Sequence, residues 1–332
     1  MYKSLRGSLI CGAVLLGSAS AAYGDAILAP FYDTRQNSAT FASIITKDFQ
    51  SPEVGPYNVQ WTYWFKSSLT DLDGACSRNS QTVNGAQKSN DLTTFDIASG
   101  DAFFDPINPL DQGRMAPTGP TVGMFAVWNG RLGDENSIAG EVVFLSPSAQ
   151  GTLLTTYRMA NDPAATDPDN FDDIAYGAFG SAVTVAPLLL WHPTALFSTN
   201  WIVSVLDANM ENLATSNLWV ELAVARQRPG TDGRVANYDT GFYYNRDGNA
   251  ISTSQTVTLR CIGLLTLEDL IDVGGLATAE STGGWAHLGI VDLDAGTIGI
   301  EVPGSVDRGI LVGKIETLAP FSLYTSQNRQ DF

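Results

Sequence analysis

Catalysis by a nucleophile needs a hydroxyl or thiol beside a base, and imidazole is the usual base. The sequence offers two histidines, His192 and His287. It has no Gly-x-Ser-x-Gly turn of the kind that lifts a serine from the end of a strand. His192 precedes Pro193 after an apolar run, and His287 alternates with Trp285 in Gly-Gly-Trp-Ala-His-Leu-Gly. Both read as sheet or turn residues. Zinc sites gather Cys and His at short spacings, whereas here these residues are scattered, so no catalytic set is assigned and no cofactor is implied by them.

Calcium takes oxygen ligands, and Asp167, Asp169, Asp172 and Asp173 place four carboxylates in one short loop. This is the candidate metal set. It is not an EF-hand, because Phe171 stands where a third alternating ligand belongs and the closing glutamate is missing. Asp71-Leu72-Asp73-Gly74 and Asp292-Leu293-Asp294 are weaker versions of the same pattern. Glycoside hydrolysis needs two carboxyls about 5 to 10 Å apart. With 35 acidic residues, some pair always meets that distance, so the criterion selects nothing. The seven tryptophans and eleven tyrosines suit stacking on sugar rings, although aromatic side chains also pack on pleated faces without a ligand.

The 35 acids face 18 bases, giving a net charge of −17, and only five of the bases are lysines. The acidity is thus a shortage of lysine. Phosphate recognition rests on Lys and Arg clusters, so the balance argues against a nucleic-acid partner. A hydrophobic share of 44% supports a packed core and argues against disorder.

Residues 1–24 read as a bacterial-type secretory signal peptide. Lys3 and Arg6 precede an apolar stretch from Leu9 to Leu16, and Ala22-Tyr23-Gly24 offers a small-x-small cleavage site before Asp25. Cys11 lies inside the apolar stretch after Ile10, out of place for lipid attachment. Removing the leader takes away two bases and no acid, which moves the charge from −17 to −19. The longest later apolar run, Ala182 to Trp191, is half of the about 20 residues that a membrane helix needs. Export leaves Cys76 and Cys261 in a compartment that permits disulfides, and these two form the candidate bridge.

The elements that must carry these residues are mostly strands. Tyr57, Val59, Trp61, Tyr63 and Phe65 alternate with Asn58, Gln60, Thr62 and Lys66, a period of two broken only by Trp64. Leu218 to Val224 and Val257 to Cys261 alternate likewise, with Glu221 on the solvent side. Shorter β-rich stretches run from Ala26 to Tyr32, Thr40 to Thr46, Leu92 to Ile97, Val122 to Trp128, Glu141 to Leu145, Trp201 to Leu206, Trp285 to Val291, Thr297 to Val302 and Gly309 to Ile315. Asp73-Gly74, Asp232-Gly233 and Asp247-Gly248 supply turns. Thr266 to Asp272 is the best helix, with Thr266 as N-cap and Asp269 closing a capping box. Tyr176 to Leu190 fits a buried strand pair or a short helix. The expected fold class is mainly β, with antiparallel β-sandwich-like sheets and one or two short helices.

Two polar stretches interrupt the strands: Ser67 to Asn90, which carries Cys76, and the acidic loop 161–173. Residues 25–332 are expected to form a single β-rich unit, because a Cys76–Cys261 bridge would tie the halves together. The alternative is two sandwiches, 25–160 and 174–332, joined by loop 161–173. Phe332 raises an outer-membrane barrel, but Gln330, Asn328 and Ser326 in its row argue against a lipid-facing strand. The sequence therefore points to an exported surface or extracellular protein, periplasmic, cell-surface or secreted, with a structural or binding role and no catalytic constellation. Surface polysaccharide and self-assembly through sheet edges are the expected partner classes. A secreted carbohydrate-binding or carbohydrate-active protein is the alternative.

Overall fold

A computed structural model describes residues 25–35, 37–46, 57–87, 92–99, 102–103, 119–129, 138–148, 151–162, 187–207, 219–228, 237–290, 308–318 and 321–326. The signal-peptide segment, most of loop 161–173 and the stretch from Thr297 to Val302 lie outside them. The described chain is mostly β, arranged in four sheets.

The first sheet runs β10 (Ala160–Asp162), β1 (Asp25–Asp33), β7 (Val122–Asn129), β3 (Tyr57–Lys66), β4 (Ser77–Gln87). The second runs β6 (Ala102–Phe103), β5 (Leu92–Asp96), β2 (Ala39–Thr46), β8 (Ile138–Ser148), β9 (Gly151–Arg158). The third runs β14 (Asn237–Thr240), β13 (Trp219–Arg228), β19 (Gly284–Ile290), β15 (Phe242–Asn245), β16 (Ala250–Ser252), with β11 (Leu188–Trp191) on β19 and β17 (Val257–Arg260) on β13. The fourth runs β18 (Ile262–Leu265), β12 (Ser198–Asp207), β20 (Arg308–Leu318), β21 (Phe321–Ser326). Every pairing is antiparallel, so the expected class holds.

The first two sheets pack face to face. Trp61 meets Phe95 edge-on at 5.0 Å and Phe31 meets Phe144 at 5.2 Å. Between the third and fourth sheets Trp191 meets Trp201 edge-on at 6.2 Å. β1 is buried from Ala26 to Asp33 and β12 from Trp201 to Leu206, and the two strands touch each other. A strand covered on both faces reads as a continuous apolar run without alternation, which is why Ala26 to Tyr32 and Trp201 to Leu206 carry no period of two. Pro30 cannot donate to a ladder, and it sits where the β1–β7 register shifts, between Ala29 and Tyr32. There the Pro30 carbonyl accepts from Ser204 Oγ at 2.7 Å and the Phe31 carbonyl from the Tyr157 hydroxyl.

Several expectations need correction. The polar stretch from Ser67 to Asn90 is a loop only as far as Cys76, after which β4 pairs with β3. SRNSQTVNGAQ has too few apolar residues to show a strand period because β4 is an edge strand. The polar side of β3 does not face water: Thr62, Trp64 and Lys66 are all buried. Helix α1 (Leu267–Leu270) starts as expected, with the Asp269 carboxylate accepting from both the Thr266 amide and hydroxyl at 2.8 Å. It ends two residues early. Asp272 instead caps a second helix, α2 (Val273–Thr282), accepting from the Gly275 amide at 3.1 Å. Asp247-Gly248 makes the β15–β16 turn, with Gly248 at φ +80°, and within 176–190 the described part begins at Pro187 and is strand from Leu188 to Leu190.

Candidate functional site

Two places bring chemistry-bearing residues together. The first is a corner between the sequence halves. β17 belongs to the third sheet and β18 to the fourth, and Cys261 is the single residue between them. It adopts φ 61°, a left-handed conformation unusual outside glycine. The expected bridge is present: Cys261 is bonded to Cys76, 185 residues away in sequence, with Cα atoms 5.9 Å apart, within the span a disulfide allows. Both cysteines are buried.

The loop between β3 and β4 docks on this corner by its backbone. The Arg260 amide donates to the Leu72 carbonyl and the Leu264 amide to the Leu69 carbonyl, each at 2.9 Å. Gly263 lets the loop come close, since a Cβ there would stand 2.6 Å from Leu72 Cδ2. Lys66, only 7% exposed, sends its ammonium to the Asp71 carbonyl and, at 3.4 Å each, to the carbonyls of Gly74 and Arg260. Burial pushes the Lys66 amine down to about 8, against the pull of Asp71 and Asp73. Asp73 also lies 3.5 Å from Arg260 Nε, but its side chain is 75% exposed, so that pair is worth little.

The second place is one face of the third sheet. Side chains at directly opposed positions share a face, so Leu190, Trp285 and Tyr244 form a row across β11, β19 and β15. Tyr244 stacks on Trp285 with ring centroids 4.6 Å apart and planes 27° from parallel. Leu190 is 43% exposed, and Trp285 and Tyr244 are half-buried. His287 follows in the next row, edge-on to Trp285 at 6.0 Å and buried. Glu221, read from sequence as solvent-facing, is half-buried on this face: Thr256 Oγ1 donates to its Oε1 at 2.9 Å, while Oε2 is shielded from solvent without a hydrogen-bond partner. Thr240 Oγ1 is shielded in the same way. The face thus carries an aromatic and aliphatic row beside exposed hydroxyl residues, Thr256 and Thr258 near Glu221 and Ser252 near Phe242.

His192 lies elsewhere, half-exposed, with Nε2 3.8 Å from Glu316 Oε1; Glu316 is also paired with the buried Lys314. The two histidines are thus on different surfaces, and sequence gave no hint of the Glu316 pairing because the partners are 124 residues apart. Asp167, Asp169, Asp172, Asp173, Asp292 and Asp294 lie outside the described residues. Asp71 and Asp73 lie within them, and there the loop turns its carbonyls to Lys66. Among the described residues no cluster of three or more His, Cys, Asp or Glu is arranged to hold a metal, and no helix is long and apolar enough to cross a membrane.

No family model matches the chain, and no curated protein or solved structure matches it either.

Proposed function

We propose that this protein is exported and works at the cell surface or outside the cell as a β-sheet binding or structural component. The observation that carries the reading is the Cys76–Cys261 bridge, which joins segments 185 residues apart and is the kind of staple that persists in oxidising compartments. The leader at residues 1–24 supports the same reading. The backbone bonds between the 66–76 loop and the 260–264 corner favour taking 25–332 as one unit over two linked sandwiches.

A saccharide is the ligand class favoured by a specific feature, the Leu190–Trp285–Tyr244 row. Sugar rings present C–H faces that pack on aromatic rings and hydroxyls that neighbouring polar side chains can bond, and this face offers both. With Glu221 tied to Thr256 and His287 buried, that face suits binding better than acid–base chemistry. A glycan array with the wild-type chain and Trp285→Ala tests this. Binding that falls at least about tenfold in the variant, about 1.4 kcal/mol, is expected. No glycan bound, or binding indifferent to the substitution, would remove the saccharide reading, and turnover in a hydrolase screen would move the protein to the carbohydrate-active class.

A further inference from the structure

Most strands that end a sheet are blunted, and one is not. Among the described residues, β6 has two residues, β10 and β16 three each, and β11 and β14 four each. β17 and β18 give the Arg260 and Leu264 amides to the loop at Leu72 and Leu69, and β9 and β21 lie alongside each other. β4 has eleven residues, ends the first sheet and pairs with β3 alone among the described strands. Its register runs unbroken from Ser77 opposite Phe65 to Val83 opposite Val59, and shifts only beyond that. A strand edge carries a row of unpaired N–H and C=O groups, which proteins guard with short strands, proline, lysine or a bulge. The sequence SRNSQTVNGAQ has no proline and no lysine, and Arg78 is its single charged residue.

We propose that β4 is a dimerisation edge: two copies of the chain pair β4 with β4, antiparallel about a two-fold axis, and join their five-stranded first sheets into one. The inference rests on the structural role proposed above and names its partner. Three observations carry it. Another strand edge is what satisfies such a row of backbone groups, and the long open edge among the described residues is β4 itself, so the partner is a second copy, in the self-complementary contact that a two-fold axis gives. With 35 acids against 18 bases, two copies repel over most of their surfaces, but β4 carries no acid and meets its mate without opposed carboxylates. Cys76, immediately before β4, is bonded to Cys261, so the edge is anchored before a partner arrives and loses less freedom on pairing. The other end of the same sheet is the three-residue β10, too short to take a second β4, so the pairing closes at a dimer and does not run on into a fibre.

The test uses the mature, oxidised chain. Sedimentation velocity over a dilution series is expected to show a dimer in the concentrated wild type. Alternate amides of an antiparallel strand point to opposite sides, so of Gln81→Pro and Thr82→Pro one removes an amide given to β3 and the other an amide on the open edge. The first is expected to lower the melting midpoint; the second is expected to give a monomer with the circular dichroism of the wild type. Hydrogen exchange needs no variant: peptides covering residues 77–87 should exchange at least about tenfold faster in the diluted wild type than in the concentrated one. A wild type that stays monomeric across the series, 77–87 peptides indifferent to dilution in a chain that does dissociate, or a dimer kept by both proline variants would each overturn the proposal. A monomer that begins at Asp25 with the bridge intact would end the dimer and leave the exported, stapled reading standing.

Discussion

Of the five lysines in the chain, Lys66 and Lys314 have described surroundings, and both are interior. The lysine shortage that makes the protein acidic therefore leaves still less positive charge on its surface than composition suggests. For Lys66 the pH dependence follows by linkage. Its folded pKa of about 8 lies below the ordinary 10.5, so between these values the unfolded chain binds more protons and stability rises with pH. Denaturant titrations at pH 8 and pH 10 are expected to show this rise in the wild type and a flatter response in Lys66→Met. A slope equal in both proteins would show that Lys66 is not its source. None of this was legible from the sequence. Lys66 ends the polar side of an alternating strand, and alternation cannot distinguish a face turned to water from one covered by the loop that follows it and a distant corner. Asp269 was legible, because a capping box is local, and Asp272 was missed because Val-Gly-Gly-Leu-Ala-Thr-Ala-Glu-Ser-Thr shows no apolar stripe to mark the helix that it caps.

At the scale of elements, the long-period features were visible and the edges were not. β3, β13 and β17 announce themselves by alternation, and β1 and β12 by apolar runs without a period of two. β4 and β16 end their sheets among the described residues, β4 with a polar sequence and β16 with only three residues, and neither composition nor length separates them from loop. The corner between β17 and β18 was half legible: both cysteines could be named, while the approach of their Cα atoms to 5.9 Å depends on two sheets meeting. The aromatic row on the third sheet was hidden for a similar reason, since Leu190, Trp285 and Tyr244 come from three separate strands and only Trp285 stood out in its own segment. Because the bridge closes so long a loop, Cys76→Ser should cost about 3 to 5 kcal/mol of folding stability. Denaturant unfolding of the variant against the oxidised wild type measures it, and a loss below about 1 kcal/mol would mean that the backbone bonds hold the corner without the covalent link.

Across the described residues, the four antiparallel sheets and the two short helices answer to the fold class that alternation and turn chemistry suggest, and the ligand does not follow from that fold. The proposed exported, disulfide-stapled state would link a cleaved N-terminal leader to the bridged corner in the interior. Peptide mapping by mass spectrometry under non-reducing conditions, on protein recovered from the compartment where it accumulates, tests both ends at once. The expected result is a chain that begins at Asp25, with the peptides containing Cys76 and Cys261 joined by a disulfide. A chain that retains residues 1–24, or free thiols at both cysteines, would contradict it.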